Sequence, residues 1–293
     1  MLVYALAPDK LVGWTRALSP AEAAFLPPRY AALPELGRLT GRGNTANVEV
    51  VLKARPDLVV DSGSVAPTFA ALADRVQEQT GLPYLLLDGR FDRLPQTLRT
   101  LGRLIADARH TETLAAYVER TLSTASSRVA RVPEQARPRV YYARGPNGLQ
   151  SAPVGSINVE TIEFLGGRNV VDVTATRGLV NVSLEQVLAW NPDVIVTVDP
   201  NFFEAVWKDP RWGAVKAVRE RRVHLSPTLP FGWVDFPPGV NRVIGVQWLG
   251  QVLYPELFRD DLRAATREFY RLFYHADLSD AQLEQLLGPA RRP

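Results

Sequence analysis

The sequence predicts an α/β protein of two lobes, each a small parallel sheet with flanking helices, joined by a long rigid helix. Three observations carry this. A segment recurs at half-chain spacing: Glu49, Leu52, Pro56, Asp57 and Val60 return as Glu185, Leu188, Pro192, Asp193 and Val196, a constant offset of 136 residues. Each copy ends in a continuous apolar run rich in β-branched residues, Leu58 to Val60 or Val194 to Val196, of the kind found in parallel strands buried on both faces. A helical pattern from Leu94 to Val129 separates the copies.

The elements follow in chain order. Leu11 to Trp14 reads as a first-lobe strand. Asn47 is placed to cap a short helix that Pro56-Asp57 breaks, and Ser183 does the same in the second copy. Asp61 to Ser64 then form a loop after the strand, and Tyr84 to Leu87 is a further strand. Leu94, Leu98, Leu101 and Ile105, continued by Leu114, Val118 and Leu122, hold helical spacing. They define a connector over 94–132, between a first lobe at 1–93 and a second at 133–293. Arg139–Ala143, Val194–Val198 and Val223–Leu225 are second-lobe strands, and Gly239 to Gln251 reads as a helix. Both lobes are Rossmann-like in plan.

Composition excludes several classes. Of 293 residues 46% are hydrophobic and 22% charged, too apolar for a disordered chain. No apolar run approaches the roughly 18 residues of a membrane span. With no Cys and three separated His, disulfides, Cys-ligated metal and a zincin motif are ruled out, and no metal site or cofactor is expected. The net charge of +3 comes from Arg spread along the chain, which does not favour nucleic acid as a partner.

Several segments together resemble one family. Gly37-Arg-Leu, Asn47-Val-Glu49 and Pro56-Asp57-Leu-Val-Val, with Arg139 to Pro146, Asn158 to Asn169, the second repeat and Phe231 to Asn241, resemble class III (helical-backbone) substrate-binding proteins of ABC importers. The likeness extends over nearly the whole chain. It implies a periplasmic protein or cell-surface lipoprotein that captures a small molecule between its lobes and delivers it to a permease; a monomer is expected because nothing in the sequence suggests an oligomer interface. It also implies a signal peptide and a leading strand, so Met1 is expected to be an internal start and the first lobe to lack that strand. Family members present a carboxylate on each lobe to the permease. Glu204 fits in the second lobe, whereas Thr68 stands at the comparable place in the first.

Ligands of open α/β sheets sit beyond the carboxyl ends of the strands, which ranks the candidate ligand-binding residues. In the first lobe, Trp14 stacks on a ligand or packs in the core. Ser62, Gly63 and Ser64 offer amides and hydroxyls to an anion or cap a helix. Arg42 and Asn44 lie in a Gly-rich loop. In the second, Tyr142 and Arg144 share a strand face. Arg144 suits paired oxygens through its donor fork or makes a structural salt bridge, and Arg177 is a second cation. Phe231, Trp233 and Asp235 belong to a rigid aromatic loop. Its rings suit an apolar wall, and Asp235 binds a hydroxyl or caps the following helix.

The leading expectation is capture of a ferric siderophore or related metal chelate. The alternative within the same fold is molybdate or tungstate. A two-lobed nucleotide- or sugar-dependent enzyme lacks its usual glycine-rich and nucleophile motifs here. A cytosolic chaperone or sensor rests only on the missing signal.

Overall fold

The computed structural model describes residues 1–40, 46–173 and 178–288. It divides into two compact units, Met1–Glu119 with Glu268–Leu278, and Arg120–Arg267 with the C-terminal segment from Ser279.

The first unit opens with α1 (Leu2–Leu6), α2 (Pro20–Ala23) and α3 (Pro28–Ala31). The Tyr4 ring packs against Trp14 and Tyr30 at centroid distances of 5.3 and 5.5 Å. Leu11 to Trp14, expected as a strand, makes only a single bridge, from Trp14 to Glu35. Pro34 beside that bridge has no N–H with which to extend a ladder. The repeat unit follows. Helix α4 (Val48–Lys53) is capped by Asn47, whose side chain accepts from Glu49 N–H. Strand β1 (Val59–Gly63) pairs in parallel with β2 (Tyr84–Asp88), and α5 (Pro67–Thr80) connects them. Asp61 to Gly63, expected in a loop, are the last three residues of β1. Leu86, Leu87 and Asp88 across the ladder continue the pairing to its end.

The helical stretch is two helices, α6 (Leu94–Ile105) and α7 (Ala108–Val129). Ala106 is extended, and the Asp107 carboxylate accepts the N–H groups of Arg109 and His110, which starts α7 afresh. At Gly102 a Cβ would lie 2.2 Å from the Thr111 hydroxyl, so only glycine permits this approach of α6 to α7. Arg99 spans the same pair of helices, bridging Glu112 and Glu119 at 2.6 Å each.

The second unit contains β3 (Arg139–Ala143), β4 (Gln150–Ser151), α8 (Glu160–Phe164), β5 (Arg168–Asn169), β6 (Val180–Asn181), α9 (Leu184–Trp190), β7 (Val194–Thr197), α10 (Pro200–Ala205), α11 (Lys216–Arg219), β8 (Val223–Leu225) and α12 (Arg242–Leu253). Helix α13 (Leu262–Phe273) then returns the chain to the first unit, and α14 (Asp280–Leu287) belongs again to the second. The main sheet is parallel throughout, in the order β5-β3-β7-β8. Strands β4 and β6 form a separate antiparallel pair. Ser183 and Gln186 form a capping box on α9. Tyr141, Ile195, Val187, Phe202 and Trp212 pack together beneath the sheet.

The strand order sets where a ligand can sit. From β3 the chain moves outward to β5, and from β7 it moves the opposite way to β8. The crevice between the carboxyl ends of β3 and β7 is therefore a topological switch point.

Candidate functional site

Arg144 follows β3 directly and stands at that switch point. Its backbone makes a bridge with Gln150, donating at 2.7 Å and accepting at 3.2 Å, so 145–149 form a tight hairpin. Gly145 and Gly148 have φ of 73° and 69°, which glycine adopts without strain. Tyr141 donates its hydroxyl to Gly148 O at 2.8 Å and fixes the hairpin from below.

Tyr142 and Arg144 lie on the other face and meet at Asp235. The Tyr142 hydroxyl donates to Asp235 Oδ2 at 3.1 Å, and an Arg144 guanidinium nitrogen lies 3.1 Å from the same oxygen. Asn158 Nδ2 donates to Asp235 Oδ1 at 2.9 Å. Asp235 is completely buried, while the Arg144 side chain retains 11% exposure. Burial, followed by the Asp235 charge, holds the Tyr142 phenol well above its ordinary range, so this hydroxyl stays a donor. Asp235 does not cap the helix that follows. That helix begins at Arg242 rather than Gly239, and no side chain caps it.

The loop carrying Asp235 is held by its own backbone. Gly232 N–H donates to Phe236 O at 3.1 Å, and Trp233 N–H to Pro227 O at 3.0 Å. Asn241 Nδ2 donates to Pro237 O at 3.0 Å and also to Gly232 O. A Cβ at Gly245 would lie 1.7 Å from Trp233 O, so α12 can approach this loop only through glycine. The fully buried Arg242 guanidinium reaches Glu160 at 2.7 Å and Ile157 O at 3.2 Å, tying the start of α12 to the segment that holds Asn158.

The structure thus brings Tyr142, Arg144 and Asp235 together. Phe231 and Trp233 precede Asp235 in the same loop, but only 6% and 0% of their surface is exposed. Phe236, which the sequence did not single out, is 50% exposed. The Arg144 guanidinium lies over its ring at 5.6 Å from the centroid. Asn158 was missed as a site residue because its link to Asp235 spans 77 positions.

In the first unit Trp14 is buried at 6% exposure and donates its indole N–H to Tyr30 O at 2.8 Å. Ser62 and Gly63 lie within β1. Ser64 Oγ accepts from Ala66 N–H at 3.4 Å, and a Cβ at Gly63 would meet nothing within 4 Å. Asp61 Oδ2 accepts from Thr40 at 2.7 Å and from Tyr84 at 3.0 Å, with the Tyr84 phenol pushed up to about 12 chiefly by burial. Arg42, Asn44 and Arg177 lie outside the described residues. Glu204 is exposed on α10, a helix capped by Asp199 through Asn201 and Phe202 N–H. Among the described residues no group of three or more His, Asp or Glu is arranged to hold a metal ion.

A family profile described as periplasmic binding protein matches residues 4–228. The molybdate-binding protein MolA of Haemophilus influenzae is 28% identical over 265 residues, covering 82% of this chain and 74% of that protein. An ABC transporter solute-binding protein from Sulfurospirillum deleyianum superposes with a TM-score of 0.90 at 28% identity, over 98% of this chain and 90% of that one. The structure of MolA bound to molybdate superposes with a TM-score of 0.75 at 22% identity, covering 95% and 90% of the two chains.

Proposed function

The chain belongs to the periplasmic binding proteins that serve ABC importers as solute-binding components, and we propose that its cargo is a metal oxyanion of the molybdate class. Proteins of this family bind and hand over a transported solute. The chain is accordingly a binding protein and not an enzyme, and its ligand is cargo rather than cofactor.

The observation that carries the proposal is the Arg144–Asp235 pair at the switch point. Asp235 engages one guanidinium nitrogen and orients the group. Among the described residues the rest of the donor fork has no hydrogen-bond partner. A planar fork held in one direction matches two oxygens of a tetrahedral anion. The likeness to a molybdate-binding relative supports the same class. Trp14 and Trp233, which would have walled a large planar chelate, are buried.

The second reading is a ferric siderophore or related metal chelate, and the half-exposed ring of Phe236 beside Arg144 favours it. Calorimetric titration with molybdate, tungstate, sulfate, a ferric catecholate, haem and cobalamin separates the two. The proposal expects saturable heat with molybdate or tungstate. Binding of the catecholate complex alone would replace it with the second reading.

Delivery to a cognate permease is the family's function, and we assign Glu204 as the acidic docking contact of the second unit on its exposure. Glu204→Lys should leave cargo binding intact and stop uptake by the reconstituted importer. Unchanged uptake would remove Glu204 from the interface. The same reading places the protein in the periplasm or on the cell surface as a monomer.

A further inference from the structure

We infer that Phe236 is a positioning residue for the anion site: its ring holds the Arg144 fork in its binding direction, and its backbone is kept in an unfavourable conformation for that purpose. The inference rests on the reading of Arg144 as the group that meets the anion.

Two disadvantages coincide at Phe236. Its φ is +67°, a left-handed conformation that glycine and asparagine reach easily and a bulky residue does not. Its ring is also 50% exposed, so much of its apolar surface stays in water. The fold requires the Phe236 backbone, because its carbonyl receives Gly232 N–H. That bond needs no side chain, and Gly or Asn at this position would keep it with less strain. A bulky aromatic in such a place points to function rather than packing.

The ring does make one contact of consequence, with the Arg144 guanidinium at 5.6 Å from its centroid. Asp235 engages the same guanidinium at 3.1 Å. One nitrogen thereby lies against a carboxylate, and the guanidinium carbon lies over an aromatic ring. The ring also keeps water from part of the cation, which strengthens hydrogen bonds made by the rest. Asp235 neutralises the formal charge, so the site discriminates anions by fork geometry more than by net charge.

The test uses the whole protein and two readouts, Tm without ligand and molybdate affinity by calorimetry. Phe236→Ala removes the ring and keeps the left-handed backbone, and Phe236→Gly relieves both. Phe236→Tyr retains an aromatic face. The expected result is that Phe236→Ala and Phe236→Gly weaken molybdate binding roughly five- to tenfold, the size of a partly desolvated cation–π contact. Phe236→Tyr should stay within about twofold. The Tm of Phe236→Ala should stay within about 2 °C of wild type, and that of Phe236→Gly should equal or exceed it. Wild-type affinity in Phe236→Ala would overturn the inference, as would a large fall in Tm, which marks a packing residue. If the wild-type protein does not bind molybdate, the oxyanion reading fails. The inference about Phe236 then falls with it, whereas saturable molybdate binding by the wild type with unchanged affinity in Phe236→Ala overturns the inference alone.

Discussion

Asp235 is fully buried, and its charge is met by Tyr142, Asn158 and Arg144. A buried carboxylate that loses its cation is left with neutral donors only, a change that typically costs about 3–5 kcal/mol. Arg144→Met is therefore predicted to destabilise the protein by about that amount in urea unfolding. Adding Asp235→Asn, which removes the second charge, should recover most of the loss. A double variant as unstable as the single one would show that the two residues do not act as a unit. At this scale the sequence was half legible. Strand alternation put Tyr142 and Arg144 on one face, where they meet Asp235. The capping role for Asp235 failed because a carboxylate completed by three distant donors has no local signature. Phe236 escaped notice because neither its exposure nor its positive φ is written in residue type.

The repeat was legible element by element, because capping and helix breaking act over a few residues. Asn47 and Ser183 both cap their helices. The positions just before the two Pro-Asp pairs, Arg55 and Asn191, both adopt left-handed φ, 50° and 42°. The two units thus stop the helix with the same backbone device. Asp107 was the overlooked signal in the long helical stretch, where apolar spacing continued across the break and masked a local N-cap. Strand β8 carries a separate consequence. Burial, reinforced by nearby Arg222, lowers the His224 pKa from 6.5 to about 4. The unfolded chain then binds a proton that the folded chain refuses. Stability from this group is complete above about pH 6.5 and falls as pH drops toward 4, by up to about 3 kcal/mol. Urea unfolding at pH 7 and pH 4.5 should show this loss reduced in His224→Asn. An identical pH dependence in the two proteins would remove His224 as its source.

Over the whole molecule, the two-unit α/β plan followed from the repeat. The return of Glu268–Leu278 to the first unit did not. Phe269, Tyr270 and Phe273 on α13, with Tyr274 just after it, are buried. What they pack against, including Tyr117 at 5.5 Å from Phe273 and Phe25 at 6.2 Å from Tyr270, is long-range information. The family places the protein in solute capture for an importer, and the account turns on whether Arg144 is the group that recognises the cargo. The most direct measurement is the molybdate affinity of Arg144→Lys against wild type at fixed ionic strength. Lysine keeps the charge beside Asp235 and loses the planar fork. The account predicts saturable binding by the wild-type protein and at least a roughly tenfold loss in Arg144→Lys, the order of one charge-assisted hydrogen bond. Equal affinity in the two proteins would contradict it.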